Sequence, residues 1–67
     1  MKPHTDALMW MIMEGRPLRM QAFIEAGFPN ADTWLCMQGY IVSRLVEELH
    51  VRFYVYEVTE TGRRYVL

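Results

Sequence analysis

The sequence predicts a small α+β domain in which three helices are followed by a C-terminal β-hairpin. Three observations predict it. Apolar residues recur at helical spacing from about residue 5 to Leu49, after which the period drops to two. Helix stops stand at Gly15-Arg16-Pro17 and at Gly27, and no repeat, low-complexity tract or linker divides the 67 residues.

Each element has its own local reason. Thr5 or Asp6 caps a first helix through Ala7 to Glu14, within residues 5–14. A second helix fits Leu18 to Ala26, where Leu18, Ala22 and Phe23 or Ile24 form an inward stripe and Gly27 supplies the stop. Pro29 and Asn30 restart the chain. Asn30 or Asp32 caps a third helical region over residues 31–49, in which Leu35, Gln38, Val42, Leu45 and Leu49 share one face flanked by Trp34, Ile41 and Val46. A glycine inside a helix costs about 1 kcal/mol relative to alanine, so Gly39 leaves two forms open, one long helix or two short ones joined there.

Beyond Leu49, Val51, Phe53 and Val55 point one way while Arg52, Tyr54 and Tyr56 point the other, the alternation of a strand. Thr59 to Gly62 is expected to turn, and residues 63–67 to return as the second strand. Three helices and a hairpin, with a short turn between the second and third helices, is the order of a three-helix winged helix-turn-helix domain with a C-terminal β-hairpin wing.

The stretch from Tyr56 to Tyr65, YEVTETGRRY, resembles the "Y-x-L-T-x-x-G-R" segment that closes the wing in small bacterial and phage winged-helix transcription regulators. Glu14-Gly15-Arg16-Pro17-Leu18 is similar to their opening "L-x-x-G-x-P-L", and Gln21 to Phe28 to the helix before their helix-turn-helix turn. The resemblance covers most of the chain through short, degenerate motifs. It implies a DNA-binding, dimeric, cytoplasmic regulator. Two departures accompany it. Gly27 to Leu49 exceeds the family's usual turn and recognition helix by several residues; and where many relatives start a helix after the threonine, the chain's end at Leu67 favours a strand.

Composition narrows the chemistry. With 52% hydrophobic residues, including six Met, two Trp, four Tyr and three Phe, the chain carries more apolar material than one small core easily hides. A homodimer follows, and the apolar run Ala7 to Met13 points to Leu8, Met9, Met11 and Ile12 as its interface. That run is too short to span a bilayer. The net charge of -1 excludes a general attraction to polyanions, so any DNA contact is local. Cys36 is alone, which excludes an internal disulfide and suits a reducing compartment; it is expected buried and inert. His4, expected near a frayed end, and His50 have no metal-ligand spacing. With no nucleophile-base pair and no phosphate-binding glycine loop, neither an enzyme nor a cofactor is expected.

Duplex recognition needs donors toward base edges and cations toward phosphates. On the third region the outward set is Thr33, Met37, Tyr40, Ser43, Arg44, Glu47 and Glu48; from it Tyr40, Ser43 and Arg44, with Gln38, are the expected readers. Arg52, Arg63 and Arg64 would give the wing a local electropositive tip, unless they serve only to discourage edge-to-edge strand pairing. Arg16 and Arg19 stand at the entry to the second helix, where they could contact a backbone phosphate, but they are expected to be solvated. Two functions follow from this reading: a sequence-specific regulator bound to double-stranded DNA, or an adaptor or inhibitor that uses the same frame to dock a protein partner.

Overall fold

In the computed structural model, which describes residues 3–66, the elements run α1 (Pro3–Glu14), α2 (Met20–Glu25), α3 (Ala31–Met37), β1 (Ile41–Glu48), β2 (Val51–Val58) and α4 (Glu60–Val66). Among the described residues the class is α+β, with four helices and one two-stranded antiparallel hairpin. α1 begins on Pro3, whose missing N–H costs nothing in a first helical turn. It buries Ala7, Leu8 and Met11, spaced to fall on one side. Gly15 at φ 65° then ends it, its N–H bonded to the Met11 carbonyl at 3.2 Å.

The second helix starts later than its apolar stripe suggests. Leu18 is extended and forms an isolated antiparallel bridge to Tyr56, donating at 3.0 Å and accepting at 2.7 Å. Its backbone groups are thus spent on β2, and α2 begins at Met20. The helix closes with paired bonds from Phe28 N–H to the Phe23 carbonyl (2.8 Å) and from Gly27 N–H to the Ile24 carbonyl (3.1 Å). Gly27, at φ 88°, supplies the left-handed residue that this ending requires.

The same ending settles the region expected as a helix over residues 31–49. Tyr40 N–H bonds to the Leu35 carbonyl and Gly39 N–H to the Cys36 carbonyl, both at 3.0 Å, with Gly39 at φ 77°. Gly39 is therefore the residue that stops α3, and neither helical form continues past it. From Ile41 the β-branched residues Ile41, Val42 and Val46 extend and pair with β2, Ile41 opposite Val58 through Glu48 opposite Val51. The spacing of Gln38, Val42, Leu45 and Leu49 was helical by coincidence. Gly39→Ala is expected to destabilise by about 1–2 kcal/mol through the left-handed backbone alone, since open space surrounds the missing side chain; chemical denaturation measures it.

The hairpin turns at Leu49 and His50, at φ 47° and 68°, a two-residue loop with both central residues left-handed. The return strand expected over residues 63–67 is helical through Val66, and Leu67 lies outside the described residues. Thr59 and Gly62 initiate this helix instead of turning a hairpin. The Thr59 hydroxyl accepts the Gly62 N–H at 3.1 Å, as a helix N-cap does, and donates to the Gly39 carbonyl at 2.7 Å, with the Tyr40 carbonyl at 3.1 Å. The Thr59 N–H also bonds to the Tyr40 carbonyl at 3.0 Å. α4 is thereby fastened to the turn between α3 and β1.

Ala7, Leu8, Met11, Leu18, Phe23, Ala31, Leu35 and Ile41 form the core. Around it Trp10 meets Phe23 edge-on at 5.2 Å, Phe23 meets Tyr56 edge-on at 5.6 Å, and Tyr40 stacks on Tyr65 at 4.4 Å. His4, expected near a frayed end, instead lies in the first turn of α1 and stacks on Trp34 at 4.5 Å.

Candidate nucleic-acid interface

α2, the five-residue connection after it and α3 place a short helix beside the base of the hairpin. Burying Ala31, Asp32 and Leu35 turns Thr33 and Met37 outward, and Gln38, the C-cap, is exposed with them. Neither the Thr33 hydroxyl nor the Gln38 amide is held by another side chain or by backbone among the described residues, so both are available to an external partner. α3, ADTWLCM, contains no lysine or arginine.

The other expected readers do not lie on this helix. Tyr40 is half-buried in the turn after it, its ring committed to Tyr65 and tilted toward Trp34 at 5.9 Å. Ser43 and Arg44 lie on β1, on opposite faces of the hairpin. Arg44 donates through Nε to Glu57 on β2 at 3.0 Å, Arg52 is paired with Glu47 across the hairpin at 3.0 Å, and Arg64 with Glu60 one helical turn away at 2.7 Å. The expected electropositive tip does not form: Arg52 and Arg64 are matched by glutamates, Arg63 and Arg64 lie on α4 and not on the hairpin, and the residue at the hairpin tip is Leu49, 93% exposed. Exposed ion pairs of this kind contribute little to stability, but they leave no excess positive charge to attract a phosphate.

Three arginines have no carboxylate partner among the described residues: Arg16, Arg19 and Arg63. The Arg19 guanidinium sits 4.2 Å above the Phe53 ring. Arg16 and Arg63 meet in a cleft of about 220 Å³, lined also by Met11, Gly15, Pro17, Glu57 and Val58. Nothing in the sequence spacing announces this convergence, because residues 16 and 63 meet only once α4 folds back beside the end of α1.

The expected dimer face on α1 needs correction in the same way. Leu8 and Met11 are 0% and 2% exposed and fill the chain's own core, and Ile12 is half-buried; of the four only Met9 is exposed. Met9 lines an apolar groove of about 410 Å³ with Asp6, Trp10, Met13 and Glu14.

One polar contact sits inside the fold. Asp32, 5% exposed, accepts a hydrogen bond from the Tyr56 hydroxyl at 3.0 Å, tying α3 to β2. Burial, followed by the hydrogen bond and the charge of Asp32, pushes the Tyr56 phenol up to about 12. Burial, then the Asp32 charge, also raises the Cys36 thiol above its ordinary value, which makes it a poor nucleophile. Among the described residues no three His, Cys, Asp or Glu side chains are placed to hold a metal, and no helix is long and apolar enough to cross a membrane. Comparison of the chain with protein-family models, with curated proteins and with solved structures found no match.

Proposed function

We propose that the chain is a winged helix-turn-helix domain that binds duplex DNA as a small cytoplasmic transcription regulator of bacterial or phage type. The observation that carries this reading is α3: it follows α2 after a tight turn, stands beside a hairpin, and directs the unengaged side chains of Thr33, Met37 and Gln38 outward. The bridge from Leu18 to Tyr56 adds the short strand between the first two helices that a winged helix uses. In this reading Gln38 contacts an adenine edge, Thr33 and Met37 lie against a thymine methyl, and Arg16, Arg19 and Arg63 supply the phosphate contacts.

Charge then limits the affinity. Three uncommitted arginines neutralise about three phosphates, so log affinity should fall by roughly 2.7 per decade of salt, a shallow dependence for a DNA-binding protein. Titration of duplex DNA at two salt concentrations measures that slope. Arg63→Ala should lower it by roughly 0.9 and weaken all sequences alike, whereas Gln38→Ala should weaken the preferred sequence by about 1–3 kcal/mol and random duplex much less.

A second reading is favoured by the absence of any cation on α3 and by the pairing of Arg44, Arg52 and Arg64 with glutamates. It is an adaptor or inhibitor in which the same frame docks a protein. Failure of the wild-type chain to shift duplex DNA at about 50 mM salt, where phosphate attraction is least screened, would overturn the first reading in favour of this one.

A further inference from the structure

β2 is paired on both sides, with β1 along one edge and Leu18 on the other. β1 is paired on one side only. Its outer edge runs eight residues, Ile41–Glu48, without proline, and no backbone group outside β2 bonds to it among the described residues. A free edge of this length is a template for another strand.

We infer that β1 pairs edge to edge with β1 of a second copy, antiparallel, about a two-fold axis through Val46. The hairpin geometry selects which groups are available. In a two-residue loop the flanking residues, here Glu48 and Val51, exchange both hydrogen bonds, as do the pairs Val46 with Phe53 and Arg44 with Val55. The N–H and C=O groups of Ser43, Leu45 and Glu47 therefore point away from β2, toward the free edge.

Charge selects the register. In a two-fold antiparallel pair, opposed residues share a face, so even positions of one copy meet even positions of the other. An axis at Arg44 sets two arginines against each other, and an axis at Glu47 sets two glutamates against each other. An axis at Leu45 leaves Arg44 opposite Val46. An axis at Val46 puts Arg44 of each copy, which already bonds Glu57 of its own chain, opposite Glu48 of the other, so that each guanidinium stands between two carboxylates, and brings Val46 against Val46. Glu48 has no ion-pair partner within its own chain among the described residues, so this register gives it one.

Apolar surface follows the same register. Within one chain Val46 and Phe53 are cross-strand partners on one face; pairing extends them into a four-residue row, Phe53, Val46, Val46, Phe53. The paired stretch, Arg44 to Glu48, is the outer half of the hairpin, so the helical bodies lie at opposite ends of the joint sheet and do not collide. The signed charges along β1 do not prevent self-pairing; they choose among its registers. This pairing is independent of what α3 binds.

Sedimentation and cysteine cross-linking test it on the full chain. The wild type should sediment as a dimer at high micromolar concentration. Glu48→Arg, an exposed change, should weaken the dimer by on the order of tenfold, because two attractions become repulsions. Mixing Glu48→Arg with Arg44→Glu should restore pairing between the two variants. In a Cys36→Ala background, Val46→Cys should cross-link to a covalent dimer on mild oxidation, since closely opposed strand positions meet disulfide geometry, whereas Val42→Cys should not. A monomeric wild type, an unweakened Glu48→Arg dimer, or cross-linking at Val42 in place of Val46 would each overturn the proposal. The cysteine pair decides the matter if Arg44→Glu does not fold.

Discussion

Gly62→Ala is expected to destabilise the domain by about 3 kcal/mol, near the upper end of what one added methyl does in a packed site. A Cβ at this position would lie far inside van der Waals contact with the Tyr40 carbonyl oxygen and 3.1 Å from Val58 Cγ1. Neither neighbour yields easily. The Tyr40 carbonyl belongs to the turn fixed by the Gly39 ending of α3, and it accepts the Thr59 N–H at 3.0 Å. To admit the methyl, α4 must withdraw from that turn, which opens the Tyr40–Tyr65 stack and strains the Thr59 hydroxyl contacts. At roughly 0.05–0.15 kcal/mol per residue, a domain of this size has only about 3–10 kcal/mol in total. The variant should therefore keep only about 0–7 kcal/mol of that stability. Thr59→Ala removes the cap without the clash and should lose about 1 kcal/mol. Urea denaturation ranks the two, and a Gly62→Ala loss under about 1 kcal/mol would mean that α4 docks otherwise.

Tyr56→Phe should lose about 1.5–3 kcal/mol although the ring is retained. The edge-to-face contact with Phe23 survives, but the carboxylate of Asp32, 5% exposed, loses its side-chain donor. A buried acceptor left without its partner forfeits much of its desolvation free energy, and a charged one more than a neutral one. Replacing both, as Tyr56→Phe with Asp32→Leu, should lose less than the sum of the single changes, the mark of a coupled pair. The same bond predicts a pH dependence. The Tyr56 phenol lies at about 12 in the folded chain, against an ordinary value near 10, so the folded state holds the proton more tightly. Its contribution is fully present below about pH 10 and is lost as pH rises from there through about 12. Thermal melts at alkaline pH should show this loss in the wild type and not in Tyr56→Phe.

The stretch that resembles a winged-helix signature, Tyr56 to Tyr65, does its visible work inside the fold. Tyr56 holds Asp32, Thr59 caps α4 and grips the preceding turn, Gly62 permits the approach, and Tyr65 stacks on Tyr40. Glu57, Val58 and Arg63 of this stretch line the cleft that also holds Arg16.

Local chemistry alone determined the α+β class, α1 up to Gly15, the stop of α2 at Gly27 and the alternation of β2. Helix caps and strand periodicity act over a few residues, and nothing distant overrides them there. Tertiary structure decided the rest. Residues 41–48 read as a helix by spacing and extend only because β2 offers a partner strand, through a Leu49-His50 turn that lacks the usual Asn-Gly signal. Residues 60–66 form a helix because Thr59 and Gly62 meet the turn at Gly39 and Tyr40, which sets α4 against α1, distant in sequence. The candidate site changed for the same reason: Leu8 and Met11 went inward and Arg44, Arg52 and Arg64 found glutamates, contacts set by long-range packing and strand register that no local window contains.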